Sequence, residues 1–154
     1  MVKINIICIG KIKEKYIEDG INEFKKRLSK YIKLNIIELK EENDDNIKVS
    51  IERESGYILD SISKNKGYNI LLDLRGKNIS SPELSEKIFG LTLTTSTINL
   101  IIGGSNGVSD NVRQEMDFLL CFSKMTFPHQ LMRLILLEQI YRAVCIHNNI
   151  KYHK

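Results

Sequence analysis

Five short runs rich in isoleucine and leucine, each followed by residues in helical spacing or a helix-opening signal, constrain the fold of this chain more than any other feature. The first, Val2 to Ile9, hardly alternates polar with apolar residues, which is the pattern of a strand covered on both faces and predicts a place mid-sheet. From Lys13 to Ile32, Ile17, Ile21, Phe24, Leu28 and Ile32 recur at steps of three and four and fall on one helical stripe. Leu34 to Leu39 reads as a second strand, and Ile47, Ile51, Ile58, Leu59 and Ile62 mark a second amphipathic helix that tolerates Gly56.

Asn69 to Leu74 is predicted as a third strand ending in a turn at Arg75-Gly76-Lys77. In Ser80-Ser81-Pro82-Glu83 a serine cap, a proline at the first helical position and an early acid then open a short helix. Thr97 to Ile102 and Phe118 to Phe122 complete the strands, with a short helix from Ser109-Asp110 between them and a long helix from about His129 to His147 after them. Such alternation predicts an α/β fold, a mostly parallel sheet flanked by helices, with ligands at the carboxyl ends of the strands. There is no repeat, low-complexity tract or linker, so one domain spanning residues 1–154 is expected.

Composition narrows the function classes. No apolar run approaches 18 residues, which excludes a helical membrane span, and the N-terminus reads as a strand entering a helix and not as a signal peptide. A cytoplasmic location is the expectation. Cys8, Cys121 and Cys145 lie far apart in apolar runs, without a C-x-x-C pair or a histidine at ligand spacing, so no metal site is expected. The net charge of +4 is compatible with a polyanionic partner without demanding one, and lysines crowd the first helix from Lys11 to Lys33.

Four segments can carry chemistry. Gly103, Gly104 and Gly107 follow the fourth strand, where absent side chains let a backbone approach a ligand. Their spacing and late position disfavour a dinucleotide fold, and no Gly-Lys-Ser/Thr phosphate loop exists, so a nicotinamide oxidoreductase and a P-loop enzyme are both set aside. A plain strand-to-helix turn would also account for these glycines.

The loop Phe122 to His129 offers backbone groups suited to an adenine ring, and Pro128 holds Phe127 extended before the last helix. That helix is apolar all round, apart from a stripe of Gln130 and Arg133 and another of Glu138, Gln139 and Arg142. It must be enclosed, by the sheet on one side and a second subunit on another. Arg133 and Arg142 then need a partner or an anionic ligand, or pair within the helix, as Arg142 can with Glu138. The tail to Lys154 joins cations, Tyr152 and His153, a mixture that suits stacking on a base, although a frayed terminus looks similar.

Taken together, Leu71 to Lys77, Ile101 to Gly107, Phe122 to Gln130, Arg133, Glu138 to Ala143 and the Tyr152-His153-Lys154 ending resemble the RlmH family of the SPOUT methyltransferases along the whole chain. The resemblance implies a SPOUT fold with a C-terminal trefoil knot, where general connectivity rules alone favour an unknotted sheet. It implies a homodimer with the active site at the subunit interface. It also implies S-adenosylmethionine as cofactor, held by Leu72, Gly103 and the loop Phe122, Ser123, Lys124, Met125, Thr126 and Phe127.

The substrate it implies is N3 of a pseudouridine in helix 69 of 23S ribosomal RNA on the assembled ribosome. On that footing His129 is the candidate base, Arg142 or Arg133 would stabilise the developing negative charge, and Tyr152 and His153 would reach across from the partner to hold the base. The competing class is a non-catalytic ribosome-binding or assembly factor with the same fold.

Overall fold

A computed structural model describes residues 1–154. The elements run β1 (Lys3–Ile9), α1 (Lys15–Leu28), β2 (Lys33–Leu39), α2 (Ile47–Lys64), β3 (Tyr68–Asn78), α3 (Ser81–Leu91), β4 (Thr97–Ile102), α4 (Asp110–Gln114), β5 (Phe118–Cys121) and α5 (His129–His147). All five strands join one parallel sheet in the order β2-β1-β4-β3-β5. β1 is interior as expected, although β4 takes the central place.

Alternation along β1 sorts its side chains between two cores. Ile4, Ile6 and Cys8 join the larger cluster with residues of α1, α3 and α5, whereas Ile7 and Ile9 face α2 and α4 with Ile58, Ile62 and Val112. The larger cluster holds 19 buried residues against 7 in the other, so the α1/α3/α5 layer carries most of the apolar burial. Burial pushes the Cys8 thiol up to about 12, which leaves it protonated and inert, and all three cysteines are free and buried. α3 opens on a reciprocal capping box: Glu83 N–H donates to Ser80 Oγ at 3.2 Å and Ser80 N–H to Glu83 Oε1 at 3.1 Å.

Four asparagines fix the register of the sheet. Asn35, Asn5, Asn99 and Asn69 lie at matched positions on β2, β1, β4 and β3. Asn35 Nδ2 donates to Asn5 Oδ1 (3.0 Å), Asn5 Nδ2 to Asn99 Oδ1 (2.8 Å) and Asn99 Nδ2 to Asn69 Oδ1 (2.9 Å). Asn5 and Asn99 are completely buried, so each amide is satisfied only when all four strands are in step. Asn99→Ala strands the Asn5 amide and is expected to cost about 2–3 kcal/mol, measured by urea unfolding. A change below about 0.5 kcal/mol would show that the ladder is dispensable.

The turn expected at Arg75-Gly76-Lys77 does not end β3. The strand runs on to Asn78 through an irregularity, and Leu120 pairs with both Leu72 and Lys77, so β5 lies in the mouth of the 72–77 segment. A Cβ at Gly76 would come within 2.6 Å of the Leu119 backbone, which makes glycine the residue that admits this close passage.

Candidate active site

Three neighbouring strands, β3, β4 and β5, end around one cavity of about 730 Å³, within the range of small-molecule sites. Leu72 comes from the β3 arm, Ile102 to Val108 from the turn after β4, and Phe122, Ser123, Met125, Thr126 and Phe127 from the loop after β5. His129 and Met132 close it from the first turns of α5. The cavity is therefore where the strand pattern predicts it, at the carboxyl ends of parallel strands.

Its walls are built from local constraints. In the glycine turn, Gly107 N–H donates to Gly104 O at 3.0 Å, and Gly107 has φ +86°, a left-handed conformation that favours glycine. The Glu54 carboxylate packs directly on Gly104 from behind, and burial pushes its pKa up. At the other wall Asn78 Nδ2 donates to Cys121 O (3.0 Å) and Phe122 O (3.2 Å), pinning the root of the loop to β3. Met125 N–H donates to Ser123 Oγ (3.1 Å), which turns the loop over the cavity.

A Cβ at Gly103 would meet Val108 Cγ1 at 2.8 Å, so a branched side chain there must force the turn apart. Gly103→Val is expected to weaken S-adenosylmethionine binding roughly 10- to 100-fold, read by calorimetry. Unaltered affinity would remove the glycine turn from the binding site.

His129 is the titratable group in the wall that has no partner of its own. Its ring is about one-fifth exposed, while Nε2 is enclosed and makes no hydrogen bond. Burial, the largest influence, pulls its pKa down; Glu41 opposes this, and Arg133 and Lys13 add to it. Burial thus favours the uncharged imidazole, the form that can accept a proton.

The other expected site residues separate into distinct places. Lys124 is exposed and does not line the cavity. Arg133 is 1% exposed and points elsewhere, Nη1 donating to Glu38 Oε2 (2.6 Å) and Nη2 to the Gly10 carbonyl (3.0 Å), while its buried Nε has no partner. Arg142, Tyr152 and His153 sit together at the far end of α5: Arg142 Nε donates to Glu138 Oε1 (3.1 Å), Tyr152 Oη donates to the same oxygen (3.0 Å), and Arg142 Nη1 lies 3.2 Å from His153 Nδ1. Thirteen residues of helix separate His129 from Arg142, roughly 20 Å. One chain does not bring the two groups together.

Two wall residues escaped the sequence reading. Asp73 and Arg113 form a partly buried ion pair beside the cavity, and Arg113 also donates to Val108 O at 3.1 Å. They are forty positions apart, a separation that local spacing rules do not reach. A polar Asp73 inside an apolar strand run was the available signal.

This architecture is that of an α/β protein with a cavity at the carboxyl ends of its strands, and comparison with known proteins gives its class. Residues 2–153 match the family described as predicted SPOUT methyltransferase. A protein of Fusobacterium nucleatum named ribosomal RNA large subunit methyltransferase H is 63% identical over 155 residues, covering 99% of this chain and all of that one. The protein of the same name from Clostridioides difficile is 51% identical over 160 residues, again covering 99% of this chain and all of the relative. A probable methylase family protein from Haemophilus influenzae shares the fold, with a TM-score of 0.56 at 15% identity over 98% of this chain and 70% of that one. The chain belongs to the SPOUT methyltransferase family, in its RlmH branch. No helix is long and apolar enough to cross a membrane.

Proposed function

We propose that this methyltransferase transfers a methyl group from S-adenosylmethionine to N3 of a pseudouridine in helix 69 of 23S ribosomal RNA, on the assembled ribosome in the cytoplasm. The observation that carries the reading is an imidazole, His129, set in the wall of the cavity formed by the glycine turn and the Phe122 to Phe127 loop, with its enclosed Nε2 making no hydrogen bond. The names of the relatives support ribosomal RNA as the substrate. Membership of all five strands in one sheet supports a single domain over residues 1–154. The grip of the 72–77 segment on Leu120 supports a chain threaded as the trefoil knot requires.

The cavity fits the cofactor: its walls are largely apolar, and Gly103 and the loop after β5 line it, as a neutral adenine and a folded methionine chain need. Leu72, Gly103 and the loop residues Phe122, Ser123, Met125, Thr126 and Phe127 would hold it. When bound, S-adenosylmethionine supplies an electrophilic methyl group on a sulfonium. His129 takes the N3 imide proton, so that the nitrogen lone pair is free to form the new N–C bond.

Arg142, always cationic, stabilises the negative charge that develops on the base, and Tyr152 and His153 hold the base in place. Because Arg142 lies roughly 20 Å along α5 from His129, with Tyr152 and His153 gathered beside it, the three act on the cavity of a second copy. The half-buried apolar residues Leu131, Ile135 and Ile146 on α5 support a homodimer that covers this helix. Arg133 leaves the charge-stabilising set and becomes a support for the end of β1.

Calorimetry with S-adenosylmethionine tests the reading against a non-catalytic assembly factor. Saturable heat of binding, at one site per chain, is the expected result. A folded protein that bound assembled ribosomes and gave no heat with the cofactor would instead be the binding module.

A further inference from the structure

The end of β1 and the segment after β2 carry a device that neither the fold nor the proposed substrate accounts for. Glu41, just beyond β2, places Oε1 3.9 Å from His129 Nε2. That nitrogen is enclosed and lacks any hydrogen-bond partner, so the imidazole atom left for a substrate in the cavity is Nδ1. Glu41 itself rests on Gly10, where a Cβ would lie 3.6 Å from its Oε2. Gly10 has φ +83°, and its carbonyl is held by Arg133, which is in turn paired with Glu38.

We propose that Glu41 is a positioning residue for His129, accepting a hydrogen bond from Nε2–H and so fixing the tautomer whose Nδ1 lone pair faces the cavity. The inference rests on the reading of His129 as the proton acceptor. A carboxylate behind an imidazole does two things: it selects the nitrogen that carries the hydrogen, and it stabilises the imidazolium once the second proton arrives. In the step itself the substrate N3–H proton moves to Nδ1, giving an imidazolium whose Nε2–H stays directed at Glu41. The ring needs to close on Glu41 by about 1 Å, since catalytic hydrogen bonds are often long before substrate binds and then tighten.

The charged groups around the ring come from each segment packed on it: Glu41 from the segment after β2, Arg133 from α5 and Lys13 from the segment before α1. Only Glu41 is negative among them, and without it the ring would face two cations. Arg133 holds the carbonyl of Gly10, the residue beside which Glu41 stands.

Nitrogen NMR of the three histidines in the free protein, followed against pH, reads the pair directly, with His129→Asn assigning the signal. In wild type the neutral ring is expected as the Nε2–H tautomer. Glu41→Gln should lower the His129 midpoint by about 0.5–1 pH unit, the effect of losing one partly solvated negative charge at this distance. In single-turnover methylation of ribosomes the same variant should lose about tenfold in rate, with its acidic limb moved to lower pH and cofactor affinity unchanged. Glu41→Asp should recover part of both.

An unmoved midpoint and limb in Glu41→Gln would overturn the proposal, whether or not the rate fell, because a structural defect lowers the plateau without moving a titration. Failure of the underlying reading shows separately, as His129→Asn with full turnover.

Discussion

His129→Asn is expected to lower the rate of methyl transfer by about 10²- to 10⁴-fold while leaving S-adenosylmethionine affinity unchanged. The size follows from removing the group proposed to take the N3 proton. Affinity should be spared because the cavity is walled mainly by the glycine turn and the loop after β5. In wild type the acidic limb of the pH–rate profile should fall below the ordinary histidine range, since burial favours the uncharged ring. Single-turnover assays across pH would check both statements. A variant with wild-type turnover would transfer the proton-accepting role to another group or to water.

Glu38→Ala should destabilise the protein by about 3 kcal/mol, measured by denaturant unfolding. It leaves the Arg133 guanidinium 1% exposed, unable to lose its charge and without its carboxylate. The estimate sits at the low end for breaking a buried pair because the Glu38 side chain is 37% exposed. Adding Arg133→Met to Glu38→Ala should restore most of the loss, since an apolar side chain of similar length then fills the site. A single substitution without effect would mean that the carbonyls of Ile9 and Gly10 alone suffice to hold the guanidinium.

Much of this architecture is legible in the residues. Thr97–Ile102 and His129–His147 coincide with the spans expected from pattern alone, and a helix opens within Ser80-Ser81-Pro82-Glu83 as expected, with Ser80 as its cap and Pro82 one residue further in than the first helical position. These features are local, because capping and periodicity act within a few residues. What escaped is nonlocal. β3 continues past Gly76 because Lys77 and Asn78 find partners on β5, more than forty positions later.

The asparagine ladder was hidden for a similar reason. Each of Asn5, Asn35, Asn69 and Asn99 looks like a lone polar residue in an apolar strand, and only the register places them in one row. Arg133 illustrates the limit of reasoning from burial cost. The argument that an enclosed arginine needs an anion leads to Glu38 on β2, a partner ninety-five positions away that spacing could not supply. The cavity residues themselves were easier to find, because glycines after a strand and a polar loop before a proline mark the ends of strands directly.

The most direct measurement of the account is methylation of its substrate. Ribosomes from a strain lacking the gene would be incubated with this protein and radiolabelled S-adenosylmethionine, and the labelled nucleoside identified by mass spectrometry. Label confined to N3 of a pseudouridine in the large-subunit RNA of assembled ribosomes, at one methyl group per particle, is the predicted result. Label on free ribosomal RNA but not on ribosomes, or on a different atom or nucleoside, would contradict it.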